Sequence, residues 1–354
     1  MTGGRSWIGS DTEETLRLKN ELIGSMVSLS DVVLEKGSTD ATDDFLVYGL
    51  YSCAVGVDND PKSISWVTST VRWNRDRVSG GYTPEEPDIG RITESAHARA
   101  AIRGCCGLAS SAFVAKQYSP LDRGLLDALY GTLSMVAKDP SVDDLRAALR
   151  EIGRLNRECL AHIAGCISER FGEAIGALRR PKKEMPCLVV TGLDLPDLEE
   201  LLKQASAAGI GICLSDGMAP AMAIPFFLNH PNLAGYVELD GGPLPAPVLF
   251  VSDSVLRPEA SDKDMIFTTG PVQFPGCVHI GGCQRPKIFT PALEKAAECG
   301  TVLSPAEAPT SAGDLVLPLR SHGDRAFADL LSRLRPDAPD SDIDGAVGRL
   351  AEFE

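Results

Sequence analysis

The sequence has no apolar run that approaches 18 residues, the minimum length of a candidate membrane-spanning helix. Residues 1–12 are polar and rich in glycine, and they lack the basic start and apolar centre of a secretory signal. Basic residues are scarce, with 34 Lys and Arg against 49 Asp and Glu and a net charge of −15. Such a surface repels phosphate backbones and anionic lipids. We therefore expect a cytoplasmic protein that binds neither nucleic acid nor membranes.

Common motifs for phosphate binding and hydrolysis are also missing. The glycine pairs at 241–242 and 281–282 form turns, but neither belongs to a GxGxxG or GxxxxGK[ST] motif. No GxSxG nucleophile elbow occurs. The five histidines are scattered, and His97 and His162 on predicted helices are more typical of packed or surface residues than of ligands. The acidic group within 194–200 is typical of a helix start, where carboxylates interact well with the helix dipole.

Ten cysteines occur, and in a reducing cytosol they do not form a disulfide framework. Free cysteine is among the most buried residue types, so most are expected to pack in the core. This expectation covers the cysteines within apolar runs: Cys53, Cys159, Cys166, Cys187 and Cys213. The adjacent Cys105 and Cys106 point in different directions from a predicted helix and would make a poor chelate.

Residues 1–183 predict an all-α helical bundle. Apolar residues recur three and four positions apart, as in Leu18, Leu22 and Val27, which is the helical period. Residues 58–90 contain many Gly, Pro and charged residues and predict a loop. Residues 93–117 predict a helix with so many small side chains that its neighbours can approach closely, which indicates a central position.

Residues 184–335 predict a Rossmann-like domain with a parallel sheet. Short apolar strands alternate with helical segments, a pattern typical of βαβ units. The predicted strands are 187–190, 210–214, 248–252, 265–269 and 278–280, and 315–319 is a further candidate. Residues 336–354 predict an acidic C-terminal tail that closes with a short helix. The predicted fold class is therefore α/β multidomain, with an N-terminal all-α helical bundle followed by a Rossmann-like parallel α/β domain.

Several stretches match one known family in order and spacing. They are 191–202, 217–221, 230–235, 251–256 and 264–280. The last stretch is the most specific, down to Pro275-Gly276 and His279-Ile280. On these residues the chain resembles the hybrid-cluster (prismane, hydroxylamine reductase) proteins, as a truncated and ligand-depleted relative. The resemblance covers roughly the first two of three family domains.

The resemblance implies an iron–sulfur–oxygen cluster held by one histidine, two glutamates and several cysteines. Carried onto this chain, the histidine position holds Leu193, a glutamate position holds Gly217, and a cysteine position holds Ser254. Leucine and glycine cannot coordinate iron, and a serine hydroxyl is a weak ligand. The family's N-terminal cysteine cluster is also missing, since the first cysteine is Cys53. We therefore expect no cofactor or, if there is one, an iron–sulfur cluster.

A different metal site is conceivable on the spacing C-x-H-x3-C. The candidate ligands are Cys277, His279 and Cys283. This spacing is not a recognised zinc or cluster motif. The alternative is that Cys277 occupies a small buried position after the Pro-Gly turn.

Three functions remain open, and the sequence does not decide whether the chain is an enzyme. The first is a scaffold or complex subunit that acts by binding a protein partner or a second copy of itself. The second is an iron–sulfur redox enzyme of the hydroxylamine or nitric oxide reductase type, with an unconventional or partner-shared cluster. The third is a small-molecule site at the carboxyl ends of the strands, near Gly192, Asp216, Ser254 and Thr269.

Overall fold

The structure is a computed structural model, and it describes residues 12–175, 185–239, 243–253, 260–282, 284–304, 306 and 314–353. The described residues form two compact units. The helical unit contains residues up to 162 together with those from 319 onward, and the α/β unit contains residues 163–318. This confirms the predicted fold class of helices followed by an α/β domain.

The helical unit is built from nine helices among the described residues. These are α1 (Glu13–Lys36), α2 (Asp40–Cys53), α3 (Pro61–Ser79), α4 (Ile89–Ile92), α5 (Ala96–Ala115), α6 (Arg123–Val136), the part of α7 (Val142–Phe171) up to residue 162, α11 (Gly323–Ser332) and α12 (Asp340–Gly348). Within the described part of the chain, no helix combines the length and the apolar character that crossing a membrane requires.

The prediction of a loop at residues 58–90 was wrong, because α3 occupies much of it. Asp60 caps the helix through the backbone N–H of Lys62, Pro61 stands in its first turn, and Gly80 ends it in a left-handed conformation. Ile64, Val67 and Val71 recur at helical spacing and are buried. The buried face of α3 has few apolar residues, so the helical period is hard to detect in a segment with many polar residues.

Helix α5 is almost entirely buried from Ala98 to Ala115, in agreement with its predicted central position. Its small residues allow close contact with α11. A Cβ atom on Gly107 would overlap the carbonyl oxygen of Asp324 and lie 2.7 Å from the Cβ of Ala328. The absence of a side chain at Gly107 therefore permits this packing.

The C-terminal residues belong to a different unit from the one that was predicted for them. Residues 319–335 were assigned to the Rossmann-like domain and 336–354 to a tail, but the described residues from 319 onward belong to the helical unit. Helix α11 buries Phe327, Ala328 and Leu331, and α12 buries Ile343 and Val347. This apolar surface explains why the segment packs as part of a core.

The α/β unit contains a parallel six-stranded sheet. Its strands are β1 (Cys187–Gly192), β2 (Gly211–Leu214), β3 (Leu233–Tyr236), β4 (Val248–Val251), β5 (Ile266–Thr269) and β6 (Val278–His279). The described helices of this unit are the end of α7, α8 (Leu195–Ala208), α9 (Pro225–Leu228) and α10 (Thr290–Cys299). The strand order is β3-β2-β1-β4-β5-β6, the order of a Rossmann fold.

Two strand assignments needed correction. Strand β3 was not predicted, because its four residues include Gly235 and follow a segment of mixed character. The candidate strand at 315–319 was wrong, since Leu317–Arg320 forms a 3-10 turn. The five other predicted strands are present with end points that shift by a few residues.

Candidate functional site

The carboxyl ends of the parallel strands meet at one edge of the sheet, and we call this the carboxyl edge. It comprises the residues that follow β1, β2, β4 and β5, namely 193–194, 215–217, 252–253 and 270. The strand order reverses between β1 and β4, which lie side by side. Open α/β sheets bind ligands at such a reversal. The position of the edge therefore makes it the first candidate for a functional site.

The backbone at the carboxyl edge is unusually tight. A Cβ atom on Gly192, whose φ is 131°, would overlap the carbonyl oxygen of Val251. Gly270 has a φ of 64°, and a Cβ atom there would lie 2.7 Å from the Ser252 Oγ atom. Asp216 and Ser252 adopt positive φ values of 41° and 62° although they are not glycines. Conformations of this kind concentrate at functional sites.

An ionic cluster lies beside this edge, formed by the buried Asp194, Asp197 and Lys287 and by the more exposed Arg285. Asp194 caps α8 by accepting a hydrogen bond from the Asp197 backbone N–H at 3.0 Å. Lys287 Nζ lies 2.5 Å from Asp197 Oδ2. Arg285 lies 2.5 Å from Asp194 Oδ1 and 2.8 Å from Asp197 Oδ1. The cluster ties the start of α8 to residues almost a hundred positions later in the chain.

The pKa of Asp197 is raised to about 6, chiefly by burial and then by the neighbouring Asp194 carboxylate. Lys287 and Arg285 act in the opposite direction because they stabilise the charged form. Thr269 donates a hydrogen bond to Asp197 Oδ2 at 3.3 Å. The carboxylate of Asp197 is fully buried, so its cations are required to keep it charged in the folded protein.

The opposite end of the carboxyl edge is acidic. Burial raises the pKa of Asp216 to about 6, with a further contribution from Glu238, while Ser215 lowers it. Burial also raises the pKa of Tyr236 to about 12, and Asp216 and Glu238 add to this effect. Asp216 lies at the carboxyl edge, and Gly192 and Thr269 are the last residues of β1 and β5. The small-molecule site expected near these residues stays a prediction.

The structure brings two of the residues at predicted ligand positions to this edge. Leu193 follows β1, is 7% exposed, and donates its backbone N–H to Val251 O at 3.0 Å. Gly217 lies in the 3-10 turn Asp216–Ala223 after β2, where a Cβ atom would sit 2.7 Å from Gly192 O. Neither residue offers a side-chain donor to iron, so an iron cluster does not fit these positions. Ser254 lies outside the described residues.

The second predicted metal site is described only in part, because Cys283 lies outside the described residues. Cys277 is partly buried in the turn after Phe274, and its N–H donates to Phe274 O at 3.2 Å. His279 on β6 lies with Nδ1 3.0 Å from Thr268 Oγ1. Across the described ranges no group of three or more His, Cys, Asp or Glu side chains is placed to hold a metal ion. The three-residue site stays a prediction.

The described cysteines are free thiols, and Cys53, Cys159, Cys187 and Cys213 are buried as expected. Cys166 is partly exposed, so the expectation of core packing was wrong there. Cys105 and Cys106 are fully buried, and burial raises the pKa of Cys106 to about 12. A buried thiol of this kind is a poor nucleophile.

Comparison with known proteins identifies relatives in one group. No family model matches the chain. A protein named hydroxylamine reductase from Acidithiobacillus ferridurans is 26% identical over 301 residues, which cover 72% of this chain and 53% of the relative. The hydroxylamine reductase of Caldanaerobacter subterraneus is 26% identical, and the match covers 82% of this chain and 52% of the relative. That of Thermosipho melanesiensis is 31% identical, and the match covers 50% of this chain and 34% of the relative.

The chain is therefore a distant relative of proteins named hydroxylamine reductase, and the resemblance read from its motifs is confirmed. It spans about half or less of the length of these curated relatives. A solved structure of the alpha subunits of acetyl-CoA synthase/carbon monoxide dehydrogenase aligns with 88% of this chain and 48% of its own, with a TM-score of 0.31 and 12% identity.

Proposed function

We propose that this chain is a hybrid-cluster-protein-like scaffold that acts by binding and does not perform the redox chemistry of its relatives. The observation that carries the proposal is the composition of the carboxyl edge. The two described positions that the resemblance assigns to cluster ligands hold a buried leucine, Leu193, and a glycine, Gly217, and the second has no room for a side chain.

The ionisable groups beside the edge support this proposal. Asp194 and Asp197 form ion pairs with Arg285 and Lys287 within the unit. These ion pairs join the start of α8 to the segment at residues 285–287. Removing one partner of a buried ion pair is strongly destabilising. The carboxyl edge therefore has the tight backbone geometry typical of a ligand site, while the charged side chains beside it form ion pairs that stabilise the fold.

Helix α3 offers a surface for a binding role. Trp66 and Trp73 are seven residues apart on one face of the helix and are 57% and 56% exposed. Large aromatic side chains are enriched in protein interfaces. The partner in this proposal is another protein or a second copy of the chain.

The test is hydroxylamine reduction under anaerobic conditions with a reduced viologen dye as the electron donor. The protein is incubated with iron and sulfide before the assay, so that a lack of cluster supply does not limit it. The Thermosipho melanesiensis relative, prepared identically, is the positive control. We expect dye oxidation no faster than in a heat-denatured sample, because the edge supplies too few ligands for a cluster.

The competing function is an iron–sulfur redox enzyme with an unconventional or partner-shared cluster, which the names of the relatives favour. It predicts hydroxylamine turnover well above the denatured control. Replacing Cys277 and Cys283 with serine would then abolish turnover. That pair of results would overturn the scaffold proposal.

A further inference from the structure

The helical unit contains a cavity of about 320 Å³ that the proposed scaffold function does not use. Its lining comes from α1, the segment after α2, α4 with the residue after it, and α5. Cavities of this size hold small molecules in many proteins. The side chains around it give its chemical preference.

The polar part of the lining is cationic. Lys19, Arg99 and Arg103 line the cavity, and no carboxylate is present among its described lining residues. Lys19 is only 3% exposed. Three cations around one small cavity stand out in a chain whose net charge is −15. Arg103 forms an ion pair with the buried Asp324, so Lys19 and Arg99 supply most of the attraction for an anion.

Neighbouring groups hold Lys19 and Arg103 in place. Lys19 Nζ donates to the carbonyl oxygen of Ala54 at 3.1 Å. Arg103 Nε lies 2.8 Å from Asp324 Oδ1, and Arg103 Nη1 donates to Cys53 O at 3.4 Å. The Val55 backbone N–H donates to Asp324 Oδ2 at 2.9 Å, which fixes the carboxylate. A preorganised site of this kind loses little conformational entropy when a ligand binds.

The rest of the lining is mainly apolar. It is formed by Leu16, Ile23, Val55, Ile89 and Ile102, with Asn20 and Thr93 as additional polar groups. A ligand that fits both parts has a charged head and a short apolar body.

We infer that this cavity binds a small organic anion that carries a carboxylate or phosphate head. The head lies among Lys19, Arg99 and Arg103, and the body packs on the isoleucines. Arginine and lysine form their strongest hydrogen bonds with these anions. The site is independent of the carboxyl edge, so its failure would leave the scaffold proposal intact.

The test is isothermal titration calorimetry of the full chain with three probes: inorganic phosphate, phenyl phosphate and hexanoate. We expect phenyl phosphate or hexanoate to bind more tightly than inorganic phosphate, since only they fill the apolar part. A stronger response to phenyl phosphate indicates a phosphate head, and a stronger response to hexanoate indicates a carboxylate head.

The variant R99Q should weaken binding at least about tenfold through loss of a charge-assisted hydrogen bond. Arg99 is preferred over Arg103, because Arg103 pairs with the buried Asp324 and its loss would disturb the fold. The matched control is R154Q, which removes an arginine that is 43% exposed and pairs with Glu151 and Glu158 on α7.

Two results would overturn the inference. One is the absence of heat from all three probes up to about 10 mM, a concentration above the Kd of even weak specific sites. The other is equal weakening by R99Q and R154Q in proteins with unchanged melting temperatures, which would show that the probes respond only to overall charge.

Discussion

At the scale of single residues, two aspartates differ in their partners: Asp197, which is buried beside the carboxyl edge, and Asp216, which is partly buried at the edge. Asp197 lies against Lys287 and Arg285, which stabilise its charge. The pKa of Asp216 rises to about 6 because burial and Glu238 both disfavour its charged form. The pKa of Asp197 is also raised to about 6, so the charged form of each aspartate costs folding stability above that pH. Lys287 and Arg285 offset part of this cost at Asp197, whereas Glu238 adds to it at Asp216.

The variant D216N tests this cost. The folded-state pKa of Asp216 lies above its ordinary value of 3.8, so the folded state binds the proton more tightly than the unfolded state. The free energy of unfolding of the wild type should therefore fall as the pH rises from about 4 to about 6. D216N should show a flatter profile in this range, since asparagine tolerates the positive φ and carries no charge.

The matched control is D139N, because Asp139 also has a positive φ, of 51°, but is exposed. Urea denaturation at a series of pH values measures the profiles. Equal slopes for the wild type and D216N would contradict the account of Asp216.

Residue chemistry was only partly predictable from the sequence. The acidic group within 194–200 was interpreted as a helix start, and Asp194 does cap α8. The burial of Asp197 was not predicted, because its partner Lys287 lies 90 residues away along the chain. A local pattern carries no information about such a distant ion pair.

At the scale of elements, the residues that start and end helices indicated secondary structure better than the amino-acid composition did. Asp60 and Pro61 mark the start of α3, and Gly80 marks its end, yet the polar composition of residues 58–90 led to the prediction of a loop. The strands were easier to predict, since the β1, β4 and β5 residues are all buried and form continuous apolar or β-branched runs.

The contact between α5 and α11 depends on glycine, and the variant G107A tests it. A Cβ atom at this position would overlap the carbonyl oxygen of Asp324, and α11 would have to move. We expect the free energy of unfolding to fall by about 1–3 kcal/mol, the usual cost of overpacking. Chemical denaturation measures the change.

The control for G107A is G131A in α6, where nothing lies within 4 Å of the added atom. Alanine is the better helix former, so G131A should raise stability by up to about 1 kcal/mol. If both variants changed stability in the same direction and to the same extent, the glycine would not be needed for the α5–α11 contact.

At the scale of the whole molecule, the apolar pattern changes from the helical period to short strands, and this change predicted a helical unit followed by an α/β unit. It did not predict that residues from 319 onward join the helical unit, because contacts between distant segments are not encoded in local periodicity. The family likeness followed from turn residues such as Gly270 and Gly276, whose positive φ values of 64° and 81° favour glycine. These residues preserve a fold, and they do not by themselves preserve its chemistry.

The central proposal is that this chain, a distant relative of proteins named hydroxylamine reductase, holds no iron–sulfur cluster. The most direct measurement is the iron and acid-labile sulfide content of anaerobically purified protein, taken with its visible absorption spectrum and compared with the Thermosipho melanesiensis relative. We expect iron and sulfide far below stoichiometric amounts and no cluster absorption. Stoichiometric iron and sulfide, with an absorption spectrum that disappears in the variant with serine at both 277 and 283, would contradict it.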